Sequence, residues 1–103
     1  MSSDTLSALA TLLGARLKAK GAMLATAESC TGGWVAQAVT AIAGSSEWFE
    51  RGFVTYSNAA KQDMLGVSAA TLAAHGAVSE QTAREMAAGA LARSGVEQAQ
   101  HPL

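Results

Sequence analysis

The chain has 103 residues and a formal net charge of −1, from seven Lys and Arg against eight Asp and Glu. This length holds one small domain, and the near-neutral charge excludes the strongly basic surface with which proteins bind nucleic acid or an acidic membrane. Alanine accounts for 24 residues and cysteine for one, so the composition predicts closely packed helices and excludes an intramolecular disulfide framework.

The start of the chain gives no sign of export or membrane insertion. Residues 1–4 lack the basic start and apolar run of a signal peptide, and no stretch approaches the roughly 20 apolar residues of a membrane span. One cysteine and two histidines do not show the spacing of a metal site. We therefore expect a cytoplasmic protein that needs no membrane, metal or cofactor.

Hydrophobic periodicity and capping residues divide the chain into alternating helices and strands. The predicted elements, in chain order, are a helix over residues 4–20, a strand over 22–27, a helix over about 32–43, a short irregular or single-turn segment from residue 45, a strand over 53–57, short helices over 59–65 and about 69–75, and a long helix over about 80–93.

This order predicts an α/β layered domain, with an incomplete sheet flanked by alanine-rich helices. We assign residues 1–95 to the domain. Residues 96–103 form a divergent polar tail, which is too polar for the buried third strand that would normally follow a long helix ending in glycine.

The turn Glu28–Gly33 lies between a predicted strand and a predicted helix. A helix start exposes unpaired N–H groups that favour a phosphate or an oxyanion, and Gly32 and Gly33 allow a ligand to approach the backbone closely. Ser29 would hold its hydroxyl at this place. Two interpretations remain open: Ser29 or Thr31 is an N-cap, or Ser29 is a nucleophile.

A serine nucleophile needs a base, and Lys61 is the best candidate. It lies in the first turn of a helix for which Asn58 is the predicted N-cap, where the helix dipole and burial both favour the neutral amine. Tyr56 could pass protons between Ser29 and Lys61. The simpler interpretations are a solvated lysine and a core tyrosine with a wet tip. If the two strands are parallel, Ser29 and Lys61 both follow strand ends at one edge of the sheet.

The remaining candidates have simpler structural interpretations. We expect His75 to interact with the end of a short helix, and Cys30 to be a small buried residue rather than a nucleophile. The four Trp and Phe residues are expected in the core or at an interface.

Several segments together resemble one family. They are Ala-Glu-Ser-Cys-Thr-Gly-Gly at 27–33, Gly-Phe-Val-Thr-Tyr-Ser-Asn-Ala-Ala-Lys at 52–61, Leu-Gly-Val at 65–67, His-Gly-Ala-Val-Ser-Glu at 75–80 and Met-Ala-Ala-Gly-Ala at 86–90. In this order and spacing they resemble the CinA C-terminal family, the nicotinamide-nucleotide amidohydrolases found alone or as the last domain of competence/damage-inducible protein CinA.

The resemblance implies hydrolysis of nicotinamide mononucleotide to nicotinate mononucleotide and ammonia, a step of pyridine-nucleotide salvage. It implies that Ser29 is the nucleophile, Lys61 its base and Tyr56 part of the same site. The residues that it implies for substrate binding are Glu28, Cys30, Thr31, Gly32, Gly33 and Asn58.

The sequence departs from the family after the long helix, where family members continue with further strands and a final helix. From this difference we expect self-association or exchange of elements between chains, since a two-stranded sheet is marginal alone. The alternative to an active amidohydrolase is an inactive remnant of the family that binds a nucleotide or only self-associates. A helical interaction module is a third possibility, in which Ser29, Tyr56 and Lys61 have no role.

Overall fold

A computed structural model describes residues 3–96. Its elements are helix α1 (Ser3–Lys20), strand β1 (Leu24–Glu28), helix α2 (Trp34–Thr40), a single 3₁₀ turn (Ser45–Glu47), strand β2 (Phe49–Val54), and helices α3 (Asn58–Leu65), α4 (Ala69–His75) and α5 (Glu80–Ser94). The α/β prediction is confirmed. Residues 97–103, most of the predicted polar tail, lie outside the described part.

The two strands pair in parallel, with a shift of register near their start. Leu24 is opposite Phe49 but Ala25 is opposite Arg51, so β2 has one extra residue at this point. An extra residue reverses the side-chain alternation. Phe49 and Phe53 therefore contact different sides of the sheet, although their spacing would place them on the same side in a regular strand.

The predicted strand over residues 53–57 was placed several residues too late. The strand starts at Phe49 because Trp48 already accepts a hydrogen bond from the Leu24 N–H, and it ends at Val54. Tyr56 thus lies beyond the strand rather than within it.

Serine side chains begin the three helices that follow the sheet. Ser57, Ser68 and Ser79 each accept a hydrogen bond from a backbone N–H three residues later, which is the usual N-cap arrangement. The caps at Ser68 and Ser79 agree with the helix starts predicted at about residues 69 and 80. The cap of α3 was predicted at Asn58 and is Ser57, so Asn58 is the first residue of the helix.

Two apolar clusters cover the two faces of the sheet. On one face Trp48 is buried with Ala10 of α1 and Val39 of α2. On the other, the cluster contains Leu65, Val67, Met86 and Ala90, with Ala27 and Phe53 of the strands packed against it. Because Leu65 belongs to α3 and Met86 and Ala90 belong to α5, this second cluster packs both helices against the sheet. It holds α3 beside the sheet just after β2 ends.

Helices α3 and α5 approach each other closely at Gly89. A Cβ atom at this position would overlap the carbonyl oxygen of Leu65, so only glycine fits without moving α3.

Among the helices that the structure describes, none combines the length and the hydropathy of a membrane-spanning segment.

Candidate active site

The Ser29 and Lys61 side chains meet at one edge of the sheet. Ser29 directly follows β1, and Lys61 is the fourth residue of α3, which starts shortly after β2 ends. Because the strands are parallel, both segments leave the sheet at its carboxyl edge. Lys61 Nζ lies 2.9 Å from Ser29 Oγ, a hydrogen-bond distance. The prediction that Lys61 is the base for Ser29 required these two side chains to lie within hydrogen-bond distance.

Lys61 is almost completely enclosed, with 1% of its surface exposed. Its Nζ donates hydrogen bonds to the carbonyl oxygens of Thr55, at 3.1 Å, and Tyr56, at 3.2 Å. No ion pair within residues 3–96 includes Lys61. Its ammonium form therefore has no carboxylate partner there, and the alternative interpretation of a solvated lysine is wrong.

The three contacts of Lys61 Nζ divide into two kinds. Carbonyl oxygens only accept hydrogen bonds, so Thr55 and Tyr56 require two N–H donors from the amine. A neutral amine has two N–H bonds and one lone pair. In the ammonium form the third N–H donates to Ser29 Oγ. In the neutral form both N–H bonds serve the carbonyls and the lone pair faces Ser29 Oγ, which is the arrangement that a general base needs.

Tyr56 contributes to this site through its backbone. Its carbonyl oxygen contacts Lys61 Nζ, whereas the residue as a whole is 74% exposed. The interpretation of Tyr56 as a core residue is therefore wrong, because the strand ends before it. The structure does not place its hydroxyl between Ser29 and Lys61.

Glu28 is held inside the protein by the start of α2. One carboxylate oxygen accepts hydrogen bonds from the Val35 N–H, at 2.8 Å, and the Thr31 hydroxyl, at 2.7 Å. The other accepts from the Ala36 N–H at 3.0 Å. Burial raises the pKa of Glu28, but these hydrogen bonds, led by that from Ala36, outweigh it, and the net pKa is below the ordinary 4.5.

These bonds change the interpretation of the helix start. The sequence prediction left the first N–H groups of α2 free for a phosphate or an oxyanion, but Glu28 already occupies those of Val35 and Ala36. Neither Ser29 nor Thr31 caps α2; the position before the helix is Gly33, with no side-chain cap. Glu28 also has only 5% of its surface exposed, so it is placed to hold the turn rather than to contact a substrate.

In the rest of the turn around Ser29, Cys30, Thr31 and Gly32 are exposed and Gly33 is half-buried. Gly32 and Gly33 both have positive φ, at 63° and 104°, which other residues adopt only under strain. A Cβ at Gly32 would meet no atom within 4 Å, so the space beside it is open. Cys30 is exposed. The prediction of a buried Cys30 is wrong, because it belongs to the turn and not to the strand before it.

Asn58 lies on the exposed surface at the first turn of α3, one residue from the cap Ser57.

Sequence reasoning missed the contribution of Thr55. Thr55 is fully buried, its N–H donates to the Glu28 carbonyl, and its own carbonyl accepts from Lys61. No signal in the sequence indicated this role, because Thr55 falls inside the strand predicted over residues 53–57.

No cluster of three or more His, Cys, Asp or Glu suited to a metal ion occurs in the described part of the chain.

His75 is the last residue of α4, as predicted. Trp48 is in the core, whereas Trp34 has 49% of its surface exposed.

Comparison with known proteins identifies the family. The sequence profile of the CinA C-terminal domain matches residues 6–99. The nicotinamide-nucleotide amidohydrolase PncC of Escherichia coli K12 is 63% identical over 91 residues, which are 88% of this chain and 55% of that protein. A CinA-like protein of Chloroherpeton thalassium is 61% identical over 83 residues, 81% of this chain and 20% of that protein.

Solved structures agree with this assignment. A CinA superfamily protein from E. coli superposes with a TM-score of 0.89 at 42% identity, covering 93% of this chain and 56% of that chain. A competence/damage-inducible protein from Agrobacterium tumefaciens gives 0.86 at 55% identity, covering 88% and 55%. The chain thus spans little more than half the length of the PncC relatives that it matches. By sequence and by fold, it belongs to the CinA C-terminal domain family.

Proposed function

We propose that this chain carries the catalytic dyad of a serine amidohydrolase, with Ser29 as nucleophile and Lys61 as general base. The observation that carries the proposal is the 2.9 Å separation of Ser29 Oγ and Lys61 Nζ, with the lysine buried and lacking an ion-pair partner among residues 3–96. Close relatives that are named nicotinamide-nucleotide amidohydrolases suggest the substrate, the amide of nicotinamide mononucleotide.

In the first half of the reaction, Ser29 Oγ attacks the amide carbonyl carbon while Lys61 Nζ takes the hydroxyl proton. A tetrahedral intermediate forms, and its C–N bond breaks as Lys61 returns the proton to the leaving nitrogen. Ammonia departs, and the acyl group of nicotinate mononucleotide, with its ribose phosphate, remains as an ester on Ser29. The carbonyls of Thr55 and Tyr56 keep the amine oriented during both transfers.

In the second half, water attacks the ester carbon and Lys61 accepts a proton from it. The C–O bond to Ser29 breaks, the proton returns to Ser29 Oγ, and nicotinate mononucleotide leaves. Tyr56 is proposed as a substrate contact at the exposed rim, because its ring is free to meet a bound nucleotide.

The exposed surface around Ser29 is the proposed substrate-binding surface. It contains Cys30, Gly32, Gly33 and Asn58, and the open space beside Gly32 leaves room for a ligand against the backbone. Thr31, whose hydroxyl is bonded to Glu28, and Glu28 itself are proposed to hold the turn in shape.

The test is ammonia release from nicotinamide mononucleotide by the purified chain. We expect release that is lost in Ser29→Ala and retained in Ser46→Ala, a matched change at an exposed serine of the 3₁₀ turn. Mass spectrometry of the chain with substrate should also show an ester of nicotinate mononucleotide on the peptide that contains Ser29. Equal release by wild type and Ser29→Ala would refute the serine mechanism.

Absence of ammonia release from the well-folded wild-type chain would favour the alternative function, an inactive family member that binds the nucleotide. Titration of nicotinamide mononucleotide into the chain tests that alternative. The predicted role in NAD salvage depends on the amidohydrolase activity, and it stays a prediction, as does the cytoplasmic location.

Self-association is also proposed. Helices α1 and α2 expose a patch of large apolar side chains, the α1–α2 surface, formed by Leu9, Leu13, Trp34 and Val35. Apolar patches of this kind commonly mark protein contacts. The mass in solution, measured by light scattering for wild type and for Leu9→Lys, tests this proposal; a monomeric wild type would contradict it.

A further inference from the structure

Helix α3, which carries Lys61, has only eight residues. Helices of this length are marginal on their own, so the position of Lys61 depends on how the two ends of α3 are held. At the first end, the Lys61 N–H donates to the Ser57 carbonyl at 3.0 Å, next to the cap that the Ser57 hydroxyl forms. The far end of α3 must be held by residues outside the proposed dyad.

The backbone itself satisfies two of the last carbonyls of α3. The Val67 N–H donates to the Lys61 carbonyl at 3.1 Å, and the Gly66 N–H donates to the Gln62 carbonyl at 3.0 Å. Gly66 has a φ of 69°, the left-handed conformation with which helices commonly end in this way. The bond from Val67 ties the main chain of Lys61 to residues 66–68, which we name the α3–α4 link.

Arg93 of α5 satisfies the next two carbonyls. Its Nη1 donates to the Asp63 carbonyl at 3.2 Å and to the Met64 carbonyl at 3.1 Å. Arg93 takes part in none of the ion pairs in the described part of the chain, so its charge serves the C-terminal end of α3, where the helix dipole is negative. A Cβ at Gly66 would lie 3.3 Å from Arg93 Nη2, so glycine there leaves room for the guanidinium.

Two other residues on the same side of α5 hold the same corner. Glu85, Gly89 and Arg93 follow one another at intervals of four residues, a spacing that places them on one side of a helix. Glu85 Oε1 accepts a hydrogen bond from the Ser68 N–H at 2.9 Å, at the start of α4. Gly89 lets α5 approach the Leu65 carbonyl. Helix α5 therefore contacts the chain just before the α3–α4 link and again at its last residue.

We infer that Arg93 is a positioning residue for the proposed dyad, holding the far end of α3 so that Lys61 Nζ stays within hydrogen-bond distance of Ser29 Oγ. The inference rests on the proposed function, because it concerns the amine that acts as base. Arg93 bonds the end of α3 opposite to Ser57, and a helix of eight residues is about 12 Å long. We therefore expect it to act through α3 and not on the substrate.

Loss of Arg93 should lower the rate of the chemical step. Without the guanidinium, only water can bond the Asp63 and Met64 carbonyls, so the last turn of α3 opens more often, and with it the bond from Val67 to Lys61. A misplacement of about 1 Å can reduce a rate about 100-fold. Because Lys61 Nζ keeps its bonds to the two carbonyls that follow β2, we expect only part of that loss.

The test compares Arg93→Met with Arg84→Met. Both arginines are exposed on α5, but Arg84 pairs with Glu80 of its own helix. In ammonia release from nicotinamide mononucleotide, Arg93→Met should lower kcat about five- to twentyfold and change KM less than about twofold. Arg84→Met should match wild type. Arg93→Lys, which keeps the positive charge, should recover most of the loss.

Ser68→Ala separates positioning from a general loss of stability. This substitution removes the N-cap of α4 and leaves α3 and Arg93 in place. We expect it to lower the urea midpoint, as Arg93→Met does, and yet to keep the kcat of wild type under conditions in which all variants are folded.

Amide exchange tests the inference without turnover. The Val67 N–H should exchange at least about tenfold faster in Arg93→Met than in wild type or Arg84→Met, whereas the Leu24 N–H, bonded within the sheet, should not change. A wild-type chain that releases no ammonia would contradict the proposed function, and the exchange of Val67 would then decide whether Arg93 holds the helix that carries Lys61.

Three results would overturn the inference. The first is an unchanged kcat in Arg93→Met, or a change confined to KM, which would place Arg93 at the substrate. The second is an equal fall of kcat in Arg84→Met or Ser68→Ala, which would indicate general loosening. The third is an unchanged exchange rate at Val67 in Arg93→Met.

Discussion

Glu28→Gln should destabilise the protein strongly at neutral pH. The amide oxygen can replace the carboxylate oxygen that serves Val35 and Thr31, but the amide NH₂ then faces the Ala36 N–H, so one hydrogen bond is lost and two donors oppose each other. Loss of one charge-assisted bond costs about 1.5–3 kcal/mol and loss of the negative charge at a helix start about 0.3–1 kcal/mol. We therefore expect a decrease of about 2–4 kcal/mol in the free energy of unfolding.

The same substitution should change how stability depends on pH. The pKa of Glu28 in the folded protein is below its ordinary 4.5. A depressed folded pKa gives stability that is complete above pH 4.5 and is lost as the pH falls through the lower folded value. The difference between wild type and Glu28→Gln should therefore be largest near neutrality and become smaller in acid.

Urea unfolding followed by tryptophan fluorescence, to which buried Trp48 and half-exposed Trp34 both contribute, measures this difference at each pH. Glu50→Gln is the matched control, because Glu50 is exposed on β2 and, among residues 3–96, forms its ion pair only with its neighbour Arg51. We expect the control to lose less than about 1 kcal/mol. A Glu28→Gln protein as stable as the control, or a difference that is the same at neutral and acid pH, would refute the assignment of Glu28 as the carboxylate that holds α2.

Three further predictions follow from the geometry. Lys61→Met should keep the fold, measured by circular dichroism, and reduce ammonia release at least about 100-fold, whereas Lys20→Met at an exposed position should not; equal activity of the two would exclude Lys61 as the base. Gly89→Ala should lower the free energy of unfolding by about 1–3 kcal/mol, because its methyl group overlaps the Leu65 carbonyl, and unchanged stability in urea would contradict that packing. Cys30 should react with a thiol reagent in the native protein about as fast as in urea, and strong protection in the native state would mean that the turn is covered.

Much of the secondary structure follows from the local sequence. Leucine spacing predicts α1, and the serines at 68 and 79 predict the starts of α4 and α5, because a cap is a contact between residues three apart. The errors occur where a distant contact sets the boundary. The start of β2 depends on the bond from Leu24 to Trp48, and the cap of α3 is Ser57 rather than the equally suitable Asn58.

The sequence by itself determined the residue types at the site and their places after two strands, and thereby the candidate pair Ser29 and Lys61. Only the tertiary structure decided how they meet. Parallel pairing of β1 and β2 brings Lys61 Nζ to Ser29 Oγ, and burial leaves the carbonyls of Thr55 and Tyr56 as the amine's other partners. The tertiary structure also assigned the α2 N–H groups to Glu28, since that choice depends on the approach of a carboxylate to a helix end, which no local pattern specifies.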